Sequence, residues 1–184
     1  MIILTAGHTG PNSGAQCATT QFDEGAENIW LRNRIAEILT NDYGLVVLVD
    51  EDKATLQLVK KRIELDAPHI DFVIDLHFNA HTNPNARGTE AIVANDATKL
   101  ELRFASRLAH TTSDALDIPL RCIKSESQTP HRRLGMLHLT PQSIILEVCF
   151  CTSPEDVEAY RNNREKLAAE LAWAIAELIL DRKT

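Results

Sequence analysis

The sequence is short of basic residues, of long apolar runs and of export signals. Lys and Arg number 19 against 26 Asp and Glu, a net charge of −7. Nucleic acids and anionic membrane surfaces require clustered cations, so the charge argues against both as partners. No apolar run approaches the ~20 residues of a membrane span. Because residues 1–10 lack a basic stretch followed by an apolar segment, we expect cytoplasmic synthesis without a signal peptide.

The four cysteines also lack the spacing of a zinc knot. None forms a CxxC pair, and the close pair Cys149 and Cys151 has no second pair to complete a metal site. A chain of 184 residues buries a core without covalent staples. We therefore expect Cys17, Cys122 and the close pair to be reduced, largely buried thiols.

Phosphate-binding signatures are missing as well. Gly7, Gly10 and Gly14 lie in a long polar loop over residues 7–23, and glycines allow a close approach to the backbone. The loop nevertheless has no Lys-Ser/Thr pair of a P-loop, and the chain has no GxGxxG. Nucleotide binding is therefore only an alternative interpretation of this loop.

What the sequence does contain is a regular alternation of apolar strands and amphipathic helices. Right-handed crossovers place such helices on both faces of a mostly parallel sheet. We therefore predict a three-layer α/β/α sandwich with a mostly parallel, mixed sheet, formed by residues 1–184 as a single catalytic domain. The predicted strands are Ile2–Ala6, Leu45–Val49, Asp71–Ala80, Gly88–Ala94 and Ser143–Cys149. The predicted helices are Glu24–Asn41 with Asp23 as N-cap, Asp52–Ala67, Leu100–Leu116, Pro154–Tyr160 and Asn162–Asp181. Asp117–Pro130 is predicted to be irregular, and His131–Leu139 to be a short strand or a loop.

Polar residues follow or interrupt three of these strands. His8 comes just after the first, and His77 lies near the end of DFVIDLHFNA. In α/β sheets, ligands bind at the carboxyl ends of the strands. Glu147 lies inside the apolar segment SIILEVC, where an unpaired carboxylate would cost several kcal/mol. Its side chain is therefore expected to be paired, protonated or directed into a site.

His8, Glu24 and His77 together offer two nitrogens and one oxygen. Each has an ordinary structural explanation, such as a carboxylate at a helix amino terminus. As a set, they suit catalytic zinc, which takes three protein ligands and leaves a position for water. The chain has no HExxH motif, so such a site must collect its ligands from separate elements. Glu147 would then transfer protons as a buried carboxyl of raised pKa.

Several motifs, in order from the first strand to the terminal helix, resemble the zinc-dependent N-acetylmuramoyl-L-alanine amidases of bacterial wall hydrolases and phage endolysins. They are Ala6-Gly7-His8-Thr9-Gly10, Ser13-Gly14-Ala15, Glu24-Gly-Ala-Glu-Asn28-Ile29, Asp75-Leu-His77-Phe-Asn79-Ala80, Gly88-Thr-Glu90 and Leu146-Glu147-Val-Cys149-Phe150-Cys-Thr-Ser153-Pro154-Glu155. The chain departs from the family pattern at Thr9, Asp75, Cys149 and Ser153.

The resemblance implies one Zn²⁺ ion held by His8, Glu24 and His77, with Glu147 as the catalytic acid–base residue. The implied reaction is hydrolysis of the amide between the lactyl group of N-acetylmuramic acid and L-alanine. Peptidoglycan is then the expected partner. We expect a monomeric, endolysin-like enzyme of phage or prophage type that acts on the wall after release from the cell.

Further residues are expected around this site. Loops at the same sheet edge often carry binding residues, and the predicted substrate contacts are Asn79, Arg132, Arg133 and His138. Asp75 replaces a small residue of the family and shares a strand face with His77, so we predict that it supports His77 from behind. The alternatives are another zinc peptidase or deacylase acting on a small amide, and a non-catalytic nucleotide- or wall-binding domain.

Overall fold

The structure, a computed structural model, describes residues 1–9, 14, 16–17, 20–52, 56–83, 85–139 and 142–181. Its strands are β1 (Ile2–Ala6), β2 (Gln16–Cys17), β3 (Phe22–Asp23), β4 (Val47–Val49), β5 (Phe72–Asn79), β6 (Thr89–Val93), β7 (Leu120–Ser125) and β8 (Ser143–Phe150). Its α-helices are α1 (Glu24–Asn41), α2 (Leu56–Asp66), α3 (Lys99–Leu116) and α4 (Pro154–Leu180). Short 3₁₀ helices cover Ala67–His69, Glu126–Gln128 and Gly135–His138.

Six strands form one mixed sheet in the order β4-β1-β5-β8-β6-β7. The pairs β1–β4, β1–β5, β5–β8 and β6–β7 are parallel, and β6–β8 is antiparallel. The short strands β2 and β3 pair with each other as a separate antiparallel ribbon. The predicted mixed, mostly parallel sheet is confirmed.

Helices cover both faces of this sheet. The larger core lies between the sheet and α1, α3 and α4, and includes Leu31, Phe104 and Leu171. On the opposite face, Val59 and Ile63 of α2 pack with the sheet residues Ile3 and Val73. The two cores make the three α/β/α layers that the sequence predicts.

Strand alternation separates apolar from polar side chains on β5 and β8. On β5, Phe72, Ile74 and Leu76 belong to the larger core, whereas the alternate position Val73 belongs to the core under α2. Asp75 and His77 share the face of Val73, because side chains alternate along a strand. Asp75 and His77 therefore lie on the α2 side of the sheet.

Helix starts agree with the sequence where a capping residue is present. The Asp23 side chain accepts a hydrogen bond from the Ala26 N–H at 3.1 Å, so it caps α1 as predicted. Thr98 and Glu101 form a reciprocal capping box at the start of α3. Such caps satisfy backbone donors that the first helical turn leaves unpaired.

Three element predictions differ from the structure. The segment predicted to be irregular, Asp117–Pro130, contains β7. This half-buried strand forms the edge of the sheet beside β6, and its sequence lacks a clear apolar alternation. The segment His131–Leu139 contains a 3₁₀ helix instead of a strand. The two predicted carboxyl-terminal helices are one helix, α4, because the polar residues 161–163 lie on its solvent side and do not interrupt it.

The cysteine prediction is wrong for two of the four residues. Cys17 and Cys151 form a disulfide that joins positions 134 residues apart in the chain. Cys122 and Cys149 are free thiols. Residues 10–13, 15, 18 and 19 of the predicted loop over residues 7–23 lie outside the described residues. Within the described residues, no helix is long and apolar enough to cross a bilayer.

Candidate metal centre and active-site cavity

His8 follows β1 on a backbone that several hydrogen bonds hold in place. The Gly7 N–H donates to the Leu76 carbonyl at 2.8 Å, and the Asn28 side chain donates to the Gly7 carbonyl at 2.9 Å. His8 itself has a φ of 57°, a left-handed conformation that is uncommon for a residue with a side chain. The segment that follows β1 thus presents the exposed imidazole of His8 beside β5.

Glu24 is the first residue of α1, and its side chain is only 3% exposed. The Phe78 backbone N–H donates to its Oε1 at 3.1 Å, which ties the helix start to β5. A Cβ at the next residue, Gly25, would lie 2.4 Å from the His8 carbonyl oxygen. Glycine at that position therefore allows α1 to begin directly against the His8 backbone.

His77, on β5, brings the third donor. Its Nδ1 lies 3.5 Å from Glu24 Oε1, and its ring stands edge-on to that of His8 with centroids 5.0 Å apart. One ligand atom from each of His8, Glu24 and His77 lies within 4.8 Å of the others. Two ligands of a tetrahedral zinc with bonds of about 2.0–2.1 Å stand roughly 3.4 Å apart. The donor types therefore fit one zinc ion, and side-chain shifts on the order of 1 Å would bring the three atoms to the spacing of zinc ligands.

Gly7 makes room for the His77 ring. A Cβ at Gly7 would lie 2.2 Å from His77 Cε1 and 2.5 Å from Nδ1. No ordinary contact between carbon atoms is this short, so any side chain at Gly7 would displace the imidazole. The glycine before His8 is thus required by a ring that comes from another strand.

Asp75 contacts the opposite nitrogen of the same ring. Its Oδ2 lies 3.1 Å from His77 Nε2, and its role in supporting His77 stays a prediction. Burial lowers the pKa of His77, but the carboxylates of Asp75 and Glu24 outweigh it and raise the pKa well above its ordinary value. A metal ion must therefore compete with a proton for this imidazole.

Glu147 lies on β8, opposite His77 of β5 on one side and opposite Glu90 of β6 on the other. Its Oε2 is buried and has no hydrogen-bond partner among the described residues. Burial raises the pKa of the Glu147 carboxyl to about 7, the positive charge on His77 opposes this, and Glu24 adds to it. A carboxyl with this pKa is able to accept and to donate a proton near neutral pH.

A cavity of about 900 Å³ opens beside these groups. Its polar end includes His8, His77 and Glu147, and its apolar side includes Val59 and Met136. Asn79 and Arg133, two of the four predicted substrate contacts, are among the lining residues. Their role in binding substrate stays a prediction.

The other two predicted contacts lie elsewhere. Neither Arg132 nor His138 is among the described residues that line the cavity. The His138 Nε2 instead lies 2.9 Å from the buried Glu126 carboxylate. Glu126 also accepts from the Leu134 backbone N–H at 2.7 Å, so this pair holds the loop before β8 in place.

Two residues that line the cavity, Lys124 and Thr5, were not predicted as site residues from the sequence. Lys124 comes from β7 and lines the cavity, and its Nζ contacts the buried Glu90 carboxylate. Arg121 Nε contacts the other oxygen of Glu90 at 2.5 Å. Two cations thus share one carboxylate at the cavity wall. Because β7 was predicted to be irregular, no sequence signal directed Lys124 to this wall.

The chain is similar to known proteins of one family in both sequence and fold. Residues 2–181 match the family model described as N-acetylmuramoyl-L-alanine amidase. The fold is similar to that of the N-acetylmuramoyl-L-alanine amidase from Clostridium difficile 630, with a TM-score of 0.77, 23% identity, and coverage of 98% of this chain and 94% of that one. The putative N-acetylmuramoyl-L-alanine amidase from Neisseria meningitidis has a TM-score of 0.74 and 24% identity, with coverage of 97% of this chain and 95% of that one. The catalytic domain of the CD27L endolysin, which targets Clostridia difficile, has a TM-score of 0.70 and 23% identity, with coverage of 98% of this chain and 96% of that one. No curated protein matches the sequence.

Proposed function

Because the chain belongs to the N-acetylmuramoyl-L-alanine amidase family, we propose that His8, Glu24 and His77 hold one zinc ion and that Glu147 is the catalytic acid–base residue. The enzyme hydrolyses the amide between the lactyl group of N-acetylmuramic acid and L-alanine in peptidoglycan. We further propose that residues 1–184 form a single catalytic domain. A family match over residues 2–181 supports this.

The observation that carries the site assignment is the buried, unpartnered Oε2 of Glu147 next to the three converging ligand atoms, among the residues that the structure describes. A buried oxygen without a partner costs free energy, so a role with substrate or water accounts for its position. Zinc, when bound, supplies Lewis-acid chemistry to a carbonyl oxygen and to water.

Glu147 would act twice in one turnover. Its carboxylate first accepts a proton from the attacking water, and the resulting acid then donates that proton to the nitrogen of the departing L-alanine. A pKa of about 7 suits both transfers at neutral pH, because a general acid–base catalyst works best near the pH of the reaction. Asn79 and Arg133 lie on the cavity wall and are proposed to contact the substrate.

The biological setting that we propose is an endolysin-type role against the bacterial wall. Similarity to the catalytic domain of an endolysin supports it, and membership of the amidase family supports peptidoglycan as the substrate.

Digestion of purified peptidoglycan tests the function, and zinc analysis of variants tests the site. The wild type is expected to release new L-alanine amino termini and to contain one zinc per chain. His77→Ala is expected to lose the zinc, whereas Glu147→Ala is expected to keep it and lose turnover by a factor of about 10² or more.

The matched control is His110→Ala. His110 is an exposed residue of α3 that contacts the Ser106 carbonyl, so this variant should keep both zinc and activity. Intact zinc without new L-alanine amino termini would instead favour a different small-amide hydrolase. A native protein free of metal would refute the site.

A further inference from the structure

Asp75 is a buried acid in the middle of the sheet, with only 4% of its surface exposed. It lies on β5 two residues before His77 and on the same strand face. Moving a carboxylate out of water costs several kcal/mol unless its oxygens find hydrogen-bond donors. The position of Asp75 thus requires donors for both oxygens.

The structure provides a donor on each side. Thr5, the residue opposite Asp75 in the β1–β5 register, donates its hydroxyl hydrogen to Oδ1 at 2.7 Å. His77 Nε2 lies 3.1 Å from Oδ2. Thr5 is itself only 2% exposed, so its hydroxyl has few other partners and fixes the orientation of the carboxylate.

A carboxylate in this orientation decides where the neutral imidazole carries its proton. Carboxylate oxygens accept hydrogen bonds, so the contact at 3.1 Å places the hydrogen on His77 Nε2. The lone pair then belongs to Nδ1, which faces Glu24 Oε1 at 3.5 Å. The hydrogen-bonding partner of one ring nitrogen thereby selects the other nitrogen as a metal ligand.

Neighbouring groups confine the plane of the His77 ring, and the hydrogen-bonding partners select its orientation within that plane. A Cβ at Gly7 would lie 2.4 Å from Nε2 and 2.5 Å from Nδ1, so the backbone of Gly7 lies close against the ring. The His8 ring stands nearly perpendicular to it, at 86°. A half-turn of the imidazole about its bond to Cβ would separate Nε2 from Asp75 and Nδ1 from Glu24.

We propose that Asp75, held by Thr5, is a positioning residue that keeps the proton of His77 on Nε2 and so makes Nδ1 the metal-binding nitrogen. This inference rests on the metal site proposed above. Among the described residues, the cluster of possible metal ligands consists of His8, Glu24 and His77 and does not include Asp75. A carboxylate behind a ligating histidine raises its basicity, and loss of such a partner typically costs about 10–100-fold in metal affinity.

Cadmium NMR tests which nitrogen binds the metal. Full-length protein labelled with ¹⁵N-histidine is loaded with ¹¹³Cd, and the one-bond coupling between cadmium and nitrogen is assigned for His77. We expect the coupling on Nδ1 and a hydrogen on Nε2. A coupling on Nε2 would overturn the inference and leave the metal site intact, whereas a protein that binds no metal would overturn both.

Metal affinity tests whether Asp75 and Thr5 act through His77. Zinc dissociation constants are measured by chelator competition on folded Asp75→Ser and Thr5→Val variants, with an expected weakening of about 10–100-fold for the first and a smaller loss for the second. Thr112→Val is the matched control, because Thr112 is a fully buried threonine of α3 whose hydroxyl donates to the Leu108 carbonyl. An unchanged zinc affinity in Asp75→Ser, or an equal loss in Thr112→Val, would refute the role.

Discussion

At the scale of single residues, chemistry at this site depends on where a side chain is buried. Glu147 and Glu90 lie opposite each other on β8 and β6. Within the described part of the chain, Glu90 forms ion pairs with Arg121 and Lys124, whereas Glu147 forms none with a Lys or Arg side chain. Glu147 keeps a buried oxygen without a partner there. The two acids therefore differ in their electrostatic surroundings, although both are carboxylates in apolar strands.

Glu147→Gln is predicted to change the pH dependence of stability in the metal-free protein. Burial raises the pKa of Glu147 from its ordinary value of 4.5 to about 7. The folded state thus holds the proton longer, and stability contributed by Glu147 falls as pH rises from ~4.5 to ~7, by about 3 kcal/mol in all.

Urea denaturation at pH 4.5 and pH 8, with chelator present, measures this effect. A glutamine side chain has no titrating proton, so the Glu147→Gln variant does not lose this stability as the pH rises. The difference in free energy of unfolding, variant minus wild type, should therefore be about 3 kcal/mol larger at pH 8 than at pH 4.5. An equal difference at the two pH values would contradict the raised pKa.

Arg133 and Arg132 give a matched pair for substrate binding. Arg133 lines the cavity and its neighbour Arg132 does not, among the described residues. Loss of one charge-assisted hydrogen bond costs about 1.5 kcal/mol or more, which corresponds to about tenfold in affinity. Arg133→Gln should therefore raise KM for soluble wall fragments about tenfold, and Arg132→Gln should leave KM unchanged. Similar KM values for the two variants in steady-state kinetics would remove Arg133 from the binding site.

At the scale of elements, the site depends on how closely β1 approaches β5. The two strands pair in parallel along Ile2–Ala6, and the Gly7 N–H continues the ladder to the Leu76 carbonyl. His77 follows directly on β5, so its ring lies over the Gly7 backbone. The close approach brings together His8, which follows β1, and His77 of β5, two of the proposed zinc ligands.

Gly7→Ala is predicted to weaken metal binding without unfolding the protein. The new methyl group would meet the His77 ring at 2.2 Å, so the imidazole must leave the position in which its Nδ1 lies 3.5 Å from Glu24 Oε1. We expect a loss of zinc affinity on the order of tenfold or more, comparable to the loss of a residue that orients a ligand.

Gly135→Ala is the control for this substitution. Gly135 also lines the cavity, but its Cβ would meet the flexible end of Lys60, at Nζ. Chelator competition should give a zinc affinity equal to that of the wild type. A Gly7→Ala variant that binds zinc as tightly would show that the ring does not need this space.

At the scale of the whole molecule, the disulfide links parts that are distant in sequence. Cys17 lies on the β2–β3 ribbon that leads into Glu24, and Cys151 follows β8, the strand of Glu147. The Thr20 hydroxyl reinforces this junction by donating to the Cys151 carbonyl at 2.6 Å. The segment before α1 is thus attached to the end of β8.

Reduction of this disulfide is predicted to destabilise the fold. A crosslink between positions 134 residues apart restricts the unfolded chain, and such links contribute about 2–4 kcal/mol. A Cys17→Ser, Cys151→Ser double variant should unfold at lower urea than the oxidised wild type, whereas Cys122→Ser should change little. If dithiothreitol leaves the wild-type midpoint unchanged, the crosslink does not contribute.

The sequence by itself determined the order of the elements and the chemical types at the strand ends. Apolar runs such as Ile2–Ala6 and the capped start of α1 at Glu24 are local patterns, and the structure has them at the predicted bounds. The resemblance to the amidase family was likewise carried by short motifs, and the family match confirms it.

Only the tertiary structure decided which side chains meet. The contact of Thr5 with Asp75, the arrival of Lys124 from β7 and the Cys17–Cys151 link join residues far apart in the chain. These contacts depend on strand order and register, which local periodicity does not encode. For the same reason His138 was predicted at the cavity but pairs with Glu126, since a loop's direction follows from the core on which it packs.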